Sequence, residues 1–408
     1  MFRLLSPAGA PVSLSDIARS MLARTRHARC YEQLEKSIKV LSGARHCLFV
    51  NSGKTALLLG LKALKEHAGD TRDEVIVPAY TCFTVPAAVA RAGLKVRPID
   101  IDPMTMDFRY DTLSAVDFNR VLAIVGNNLF GIPSNWAKLD EISREHNVDL
   151  IDDAAQAMGL KHGGIPMGTF GKFGFYSLGR GKNLTAYAGG ILVTDDDRLA
   201  ETLSQEVVKL PVGGIGFEMM LLLKTILLSL FLRPRLYWLP SMMPFLGLGE
   251  TIFDPEFDIS GFSRWQVCLS AVVSKHLDSY NESRRANARA LAERIQALDG
   301  FDIPGYDGNN IYACLRLPVL TADQQTRDEI VASLRRRGIT ASTMYPATVR
   351  NIDGIGPYLA SEDNNFSGAQ TVVERLVTLP THPYLRESDI ERIVTTLAGL
   401  SQGEKCPV

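Results

Sequence analysis

The chain has 408 residues, enough for two or three domains around a large core. Apolar residues make up 46% and charged residues 22%, which excludes a disordered or fibrous chain. The net charge of −1 and a pI near 6.7, with no basic run carrying interleaved aromatics, speak against nucleic acid as a partner.

The six cysteines, Cys30, Cys47, Cys82, Cys268, Cys314 and Cys406, are scattered with no CxxC pair. Reduced thiols in a cytoplasm are expected, with neither a disulfide framework nor a metal site. The opening MFRLLSPAGAPVSLSD has too short an apolar run for a secretory signal.

In chain order, residues 15–40 read as a helix entered at Ser15-Asp16. CLFV (Cys47 to Val50) is a short β-type run, followed by NSGKTALLLGLKALKEH with Leu57, Leu61 and Leu64 at helical spacing. Ser52 stands where an N-cap belongs. A strand feeding a helix through Asn-Ser-Gly is an anion-binding arrangement, because unpaired N–H groups and the helix dipole point at the turn. Gly53-Lys54-Thr55 also looks like the end of a nucleotide P-loop, but the glycine that motif needs five residues earlier is Leu48.

Val75 to Pro78 is a β-rich run ended by proline, residues 83–92 are helical, and KVRPIDID is a second strand. This βαβ spacing implies an α/β fold with a mainly parallel sheet. Tyr80 and Phe83 lie just past a strand end, where open parallel sheets bind ligands. VLAIVGNNLFGIP is another strand and turn, KLDEISREHNVD an amphipathic helix, and LIDDAAQAMG a strand and loop. Asp152 and Asp153 fall at that strand's C-terminal end, with Gln156 three residues on. A carboxylate there can pair with a protonated ring nitrogen.

FGFYSLGRGKNLTAYAGG (Phe173 to Gly190) is the informative stretch. Lys182 stands alone in a turn made by Gly179 and Gly181, five residues after Ser177, and GGILVT follows as a strand. An amine beside a hydroxyl and free backbone N–H groups suits a carbonyl cofactor that also carries a phosphate. No stretch shows GxGxxG after a strand, which argues against a dinucleotide fold. Residues 264–298 read as one long helix with a solvated Arg/Glu face. The β-type runs Ile311 to Leu317 and Ile339 to Met344, with helices over 322–337 and 387–399, predict a smaller α/β domain. His382 reads as structural, and the chain is expected to fray from Ser401.

From about residue 11 to 398 these blocks together resemble the DegT/StrS-type sugar aminotransferases, pyridoxal 5'-phosphate (PLP) enzymes of fold type I. The blocks that carry the resemblance are NSGKTALLLGLKAL, DEVIVPAYTCFTVPAAVARAG, PIDIDP, LFGIP, LIDDAAQAMG, FGFYSLGRGKNL, GGILVTDD and TLPTHPYL. The resemblance implies an aspartate-aminotransferase-like fold, with a PLP-binding large domain over 1–260 and a small domain over 261–408. It makes Lys182 the imine-forming lysine, Asp153 the partner of the pyridine nitrogen and Gln156 the residue beside the ring hydroxyl. Ser177 and the Ser52-Gly53-Lys54 turn become the phosphate ligands. The aromatic that covers the ring falls near Tyr80 to Phe83, with Cys82 in the usual aromatic slot. It also implies an amino-acid donor, glutamate in most members, a keto acceptor on a nucleotide-linked sugar, and a homodimer with shared sites. The family's Asn-Tyr-Arg, which reaches into the neighbouring subunit, is Phe262-Ser263-Arg264 here, and its His-Tyr is Met344-Tyr345. Arg180, just before the lysine, is a further candidate contact. The altered substrate side leaves a lipid-linked or acyl acceptor, or a PLP-binding member without turnover, as alternatives.

Against the family's block spacing, the chain is longer between Asp197 and Gly261 by roughly thirty-five residues. The insertion, about 212–250, contains FEMMLLLKTILLSLFLRPRLYWLPSMMPFLGLG (Phe217 to Gly249). Its first sixteen residues as a helix span about 24 Å, short of the ~30 Å hydrocarbon core. Pro234, Pro240 and Pro244 break the continuation, and Arg233, Arg235, Tyr237 and Trp238 gather as interface anchors do. Three readings compete: a membrane-surface or re-entrant hairpin at the inner face of the membrane, a cover over a greasy substrate, and a helix pair buried in a dimer.

Overall fold

The computed structural model describes residues 3–68, 71–243, 249, 251–308, 311–312, 315–360 and 365–401. Pro244, Cys314 and Cys406 lie outside these. The described cysteines, Cys30, Cys47, Cys82 and Cys268, are free thiols.

The expected helix over 15–40 is two helices, α1 (Leu14–Ala23) and α2 (His27–Ser42), joined through a 3-10 turn at Arg24–Arg26. The cap of α1 is Ser13, not Ser15-Asp16. Asp16 is the third helical residue, and its carboxylate reaches back to Ser13 while the Ser13 hydroxyl accepts from the Asp16 N–H. This reciprocal pairing satisfies two otherwise orphaned donors.

β1 (His46–Val50) leads into α3 (Gly53–Ala68), β2 (Glu74–Pro78) into α4 (Thr84–Arg91), and β3 (Lys95–Ile99) follows. Next come β4 (Val121–Asn127), α5 (Trp136–His146), β5 (Asp149–Asp153), β6 (Phe173–Ser177) and β7 (Gly190–Thr194). They form one seven-stranded sheet in the order β1-β7-β6-β5-β4-β2-β3. Neighbours from β6 to β3 run parallel, and β7 runs antiparallel to both β1 and β6. The C-terminal ends of β1, β2, β4, β5 and β6 therefore open along one edge, the edge where such sheets hold ligands.

Period-2 alternation on β1 shows how the sheet is sandwiched. Leu48 and Val50 pack with α3 on one face, while Cys47 and Phe49 pack on the other with α2 and with the later helix α8 (Arg264–Val273). α6 (Asp197–Lys209) follows β7, and the insertion begins with α7 (Ile215–Phe231). Among the described residues no helix is long and apolar enough to cross a membrane.

The stretch expected as one helix over 264–298 is broken at 274–276 into α8 and α9 (Leu277–Ile295). Trp265, Val267 and Leu277, assigned from the sequence to the C-terminal domain, pack in the layer beneath the large sheet. The small domain pairs β8 (Arg316–Leu320) antiparallel with β9 (Leu376–Pro380), packed by α9, α10 (Gln324–Arg336) and α12 (Glu387–Ser401), with α11 (Ser367–Arg375) before β9. The expected strand over Ile339 to Met344 is reduced to isolated bridges at Ile339 and Ser342, and the run after Ile311 becomes a strand only from Arg316. Leu5 of the N-terminal arm packs into this C-terminal core.

His382 fastens the same arm. It is fully buried; Nε2 donates to the Ser6 carbonyl at 2.9 Å and Nδ1 accepts from the Tyr384 N–H at 3.3 Å. Both nitrogens are thus used by the neutral ring, and a proton on Nδ1 would face an N–H. Burial pushes the imidazole pKa down to about 4 from 6.5. The unfolded chain then binds a proton near pH 6.5 that the folded chain refuses, so this group's contribution is complete above pH 6.5 and is lost as pH falls toward 4. The loss reaches about 3 kcal/mol. Asp152, pushed up to about 7 by burial, and Asp153, up to about 6, act in the opposite sense, because the folded state keeps protons that the unfolded state releases. Comparison with His382→Gln isolates the histidine: urea midpoints of wild type should fall relative to the variant between pH 6.5 and 4.5, and parallel curves would refute the assignment.

Candidate active site

Five strand ends build one pocket. After β1, Ser52 caps α3: its Oγ accepts from the Thr55 N–H at 3.2 Å, as the sequence suggested. Gly53 opens the helix at the pocket edge, and a Cβ there would stand 3.2 Å from Ser177 Cβ. β7 passes so close that a Cβ on Gly190 would lie 2.1 Å from the Ser52 carbonyl, so only glycine fits at that crossing. After β2 come Thr81 and Cys82; β4 ends at Asn127, β5 at Asp153 and β6 at Ser177. Together with Lys54, Gln156, Lys182 and Tyr345 these residues line the same pocket.

The Lys182 loop is held from below. The backbone carbonyls of Lys182 and Asn183 both accept from the guanidinium of Arg284, at 3.3 and 3.0 Å. Gly181, at φ +77°, turns the chain so that Lys182 faces back over the sheet edge. Asp153 is buried; Oδ1 accepts from the Ala155 N–H at 3.0 Å. Burial raises its pKa to about 6, and the neighbouring Lys182 ammonium offsets part of that rise. Its neighbour Asp152 does different work. Completely buried, it accepts from Asn128 and from the backbone N–H groups of Gly168 and Phe170, which ties down the loop before β6. Gln156 accepts from the Phe130 N–H and donates to the Tyr345 hydroxyl at 3.2 Å.

Lys54, third in the turn, is half-buried with its Nζ 4.3 Å from the centre of the Phe257 ring. Burial lowers its pKa, against the pull of Asp254 and Asp258. A desolvated cation one residue past an N-capped glycine turn adds positive charge to a helix N-terminus already suited to an anion.

The aromatic expectation is corrected. Tyr80 and Phe83 are buried behind the pocket, where both pack on Tyr345, and Thr81 and Cys82 are the residues of that stretch that face the cavity. Two rings line the pocket, Phe175 of β6 and Tyr345 of a small-domain loop; Tyr345 reads from the sequence only as the counterpart of the family's His-Tyr, and Phe175 is not singled out there. Asn127, also missed, sits at a strand end of the kind that marked Asp153, so the same signal would have found it. Arg180 does not line the pocket; it lies over the Tyr187 ring, 5.5 Å from its centre. Phe262 stacks on Phe49 and Ser263 caps α8, so both are committed within this chain. A larger cleft of 1210 Å³ between residues 101–111, 132–135 and 305–307 carries none of these groups.

Similarity to known proteins follows the same outline. The profile of the DegT/DnrJ/EryC1/StrS aminotransferase family matches residues 15–211 and 266–398, and the gap between the two segments holds the insertion. The UDP-N-acetyl-3-dehydro-alpha-D-glucosamine 3-aminotransferase of Acidithiobacillus ferrooxidans is 27% identical over 365 residues, 89% of this chain and 86% of that protein. A pleiotropic regulatory protein of Geobacillus stearothermophilus is 27% identical over 369 residues, 90% of this chain and 88% of that protein. Among solved structures, Helicobacter pylori PseC, an aminotransferase involved in the biosynthesis of pseudoaminic acid, superposes with a TM-score of 0.77 at 15% identity. The match covers 98% of this chain and 100% of PseC, which places the fold in fold type I.

Proposed function

This chain belongs to the DegT/DnrJ/EryC1/StrS aminotransferase family, and on that premise we propose that it is a PLP-dependent transaminase that moves an amino group from an amino acid, glutamate, to a keto group of a nucleotide-linked sugar. The observation that carries this reading is the convergence of Lys182, Asp153 and the Ser52-Gly53-Ser177 cradle on one pocket. The residues present fit the cofactor. The close approach of Gly53 to Ser177 leaves backbone N–H groups and hydroxyls for a phosphate, and a primary amine and a buried carboxylate stand in the same cavity. PLP, when bound, supplies an aldehyde and a protonated ring that withdraws electrons from the carbon losing its proton.

The chain's residues have separate tasks in this reading. Ser52, Gly53 and Ser177, with the Lys54 ammonium near them, hold the phosphate end. Asp153, ionised, keeps a proton on the ring nitrogen by charge and hydrogen bonding, and its burial makes that pairing strong. Gln156 is placed beside the ring hydroxyl. Lys182 Nζ is the nucleophilic amine and, once displaced by the donor's amine, the base that takes and returns the proton at the reacting carbon. The nucleotide-sugar acceptor is supported by the Acidithiobacillus relative, whose own name specifies such a substrate.

The testing experiment is the visible spectrum of the purified protein loaded with PLP, before and after glutamate. A visible band that bleaches with glutamate and returns with a nucleotide-linked keto sugar is expected. A band indifferent to every amino donor would overturn the transaminase reading. An acceptor that is lipid-linked or acyl is the second reading, and the exposed apolar residues of the inserted helix speak for it. Recovery of the band with such a ketone and not with the sugar would select that reading. The reading also includes a homodimer, to be checked by light scattering at the mass of two chains.

A further inference from the structure

The inserted helix is built inside out. Of its four buried residues three are polar, Glu218, Thr225 and Ser229, with Leu221 beside them. Glu218 accepts from the Trp265 N–H at 3.1 Å and from the Arg24 guanidinium at 2.7 Å. Ser229 donates to the Val12 carbonyl at 2.6 Å, and Thr225 to the Leu221 carbonyl at 2.8 Å. The opposite face carries Ile215, Met219, Leu223 and Leu227, spaced four apart and 41–71% exposed, with Phe217 and Met220 exposed alongside. Spacing of four places these side chains in one stripe along the helix. A stripe of this kind on a water-facing helix means a surface that meets something apolar.

Charge says what that something is. Across residues 212–243 the single carboxylate is Glu218, and it is turned inward. The exposed charges of that span are Lys224, Arg233 and Arg235, all positive. Beyond the helix, Arg233 and Arg235 line a shallow cavity of 560 Å³ together with Arg3, Arg386 and Tyr384. Arg3 pairs with Asp389, whereas among the described residues no carboxylate pairs with Arg233, Arg235 or Arg386. A second copy of the chain, docked through the same face, would present the same cations and no outward carboxylate to meet them, since a twofold interface uses the same patch on both sides. An anionic headgroup layer over an acyl interior complements both parts: apolar side chains enter the boundary and guanidiniums meet phosphates. Tyr237 and Trp238, next to the arginines, are the residue types that favour that boundary.

We propose that the outward face of the inserted helix and the arginine cluster at its end form a docking surface for an anionic phospholipid membrane. The contact is peripheral, because 17 residues rise about 25 Å and do not span the ~30 Å core.

The test is flotation of the full-length, PLP-loaded protein with vesicles of phosphatidylcholine containing phosphatidylglycerol, and with phosphatidylcholine alone. Binding to the anionic vesicles, weakened by salt and much lower on the neutral ones, is expected. M219Q/L223Q/L227Q, at positions exposed in the fold, should bind at least about tenfold more weakly with its thermal melt unchanged. R233Q/R235Q should lose roughly twenty-five-fold, at about fivefold per arginine, and lose the preference for anionic lipid. No flotation, or flotation indifferent to both variants, overturns the proposal. So does absence of flotation with a halved mass in the triple variant, which would give the face to a second copy. None of these readouts depends on transamination.

Discussion

Lys182→Ala is expected to lower turnover by a factor of about 10³ or more, because it removes both the nucleophile and the proton carrier. The loss should come without a loss of fold. Lys182 is half-buried on a loop, and among the described residues its hydrogen bonds are made by its backbone: the N–H to the Gly179 carbonyl and the carbonyl to Arg284. Thermal melts of the cofactor-free variant should therefore match wild type. Lys182→Arg sharpens the result. It keeps a positive charge near Asp153, so a lysine that served only to balance that carboxylate would be replaced adequately. A guanidinium is neither a nucleophile nor a base at neutral pH, so Lys182→Arg should be as inactive as the alanine variant. Appreciable turnover in either variant would remove Lys182 from the chemistry.

The second large effect is expected from a residue far from Lys182 in the chain. Arg284→Met should lower stability by about 2–4 kcal/mol and loosen the lysine loop with it. Arg284 is completely buried on α9, and its guanidinium donates to four oxygens: the carbonyls of Gly9, Lys182 and Asn183 and Oδ1 of Asn281. It thus joins the N-terminal arm, the lysine loop and the helix that leads into the small domain. Methionine fills the aliphatic stem but leaves three buried backbone carbonyls without this donor, each costly to leave unpaired. The whole of that cost does not appear, because burying the guanidinium is itself unfavourable: burial lowers its pKa to about 10. Urea unfolding measures the stability change. A drop in turnover per folded molecule, beyond the stability loss, would show the positioning of Lys182. Unchanged unfolding would mean the buried charge contributes nothing net.

Arg284 also shows where local sequence reading stops. The segment HLDSYNESRRANARALAERI has the charge pattern of a solvated face, and most of its charged residues are indeed exposed. Nothing in periodicity separates Arg284 from its neighbour Arg285, which is exposed and pairs with Glu282. The difference is that the lysine loop and the arm lie over one of them. The inserted helix carries the same lesson in reverse. Glu218, Thr225 and Ser229 read from the sequence as interruptions in an apolar run, yet they are its attachment points. Conversely, the Gly-Arg-Gly-Lys loop, the aspartate at a strand end and the N-capped Ser-Gly turn were legible early. Each of these depends on its own few residues and on where a strand stops.

The sequence alone determined the βα units, their strand ends and the identity of Lys182, Asp153, Gln156, Ser52, Gly53 and Ser177 as candidates. Those signals are short-range: alternation, capping, and the need for glycine in tight turns. Tertiary structure alone decided that β7 runs antiparallel between β1 and β6, which swings the lysine loop across to the Ser52-Gly53 turn. It also decided that Cys82, not Tyr80 or Phe83, faces the pocket, that Tyr345 completes it, and which face of the inserted helix meets water. The physical reason is common to all four. Whether a side chain is buried depends on what packs against it from distant parts of the chain, and no local period encodes that.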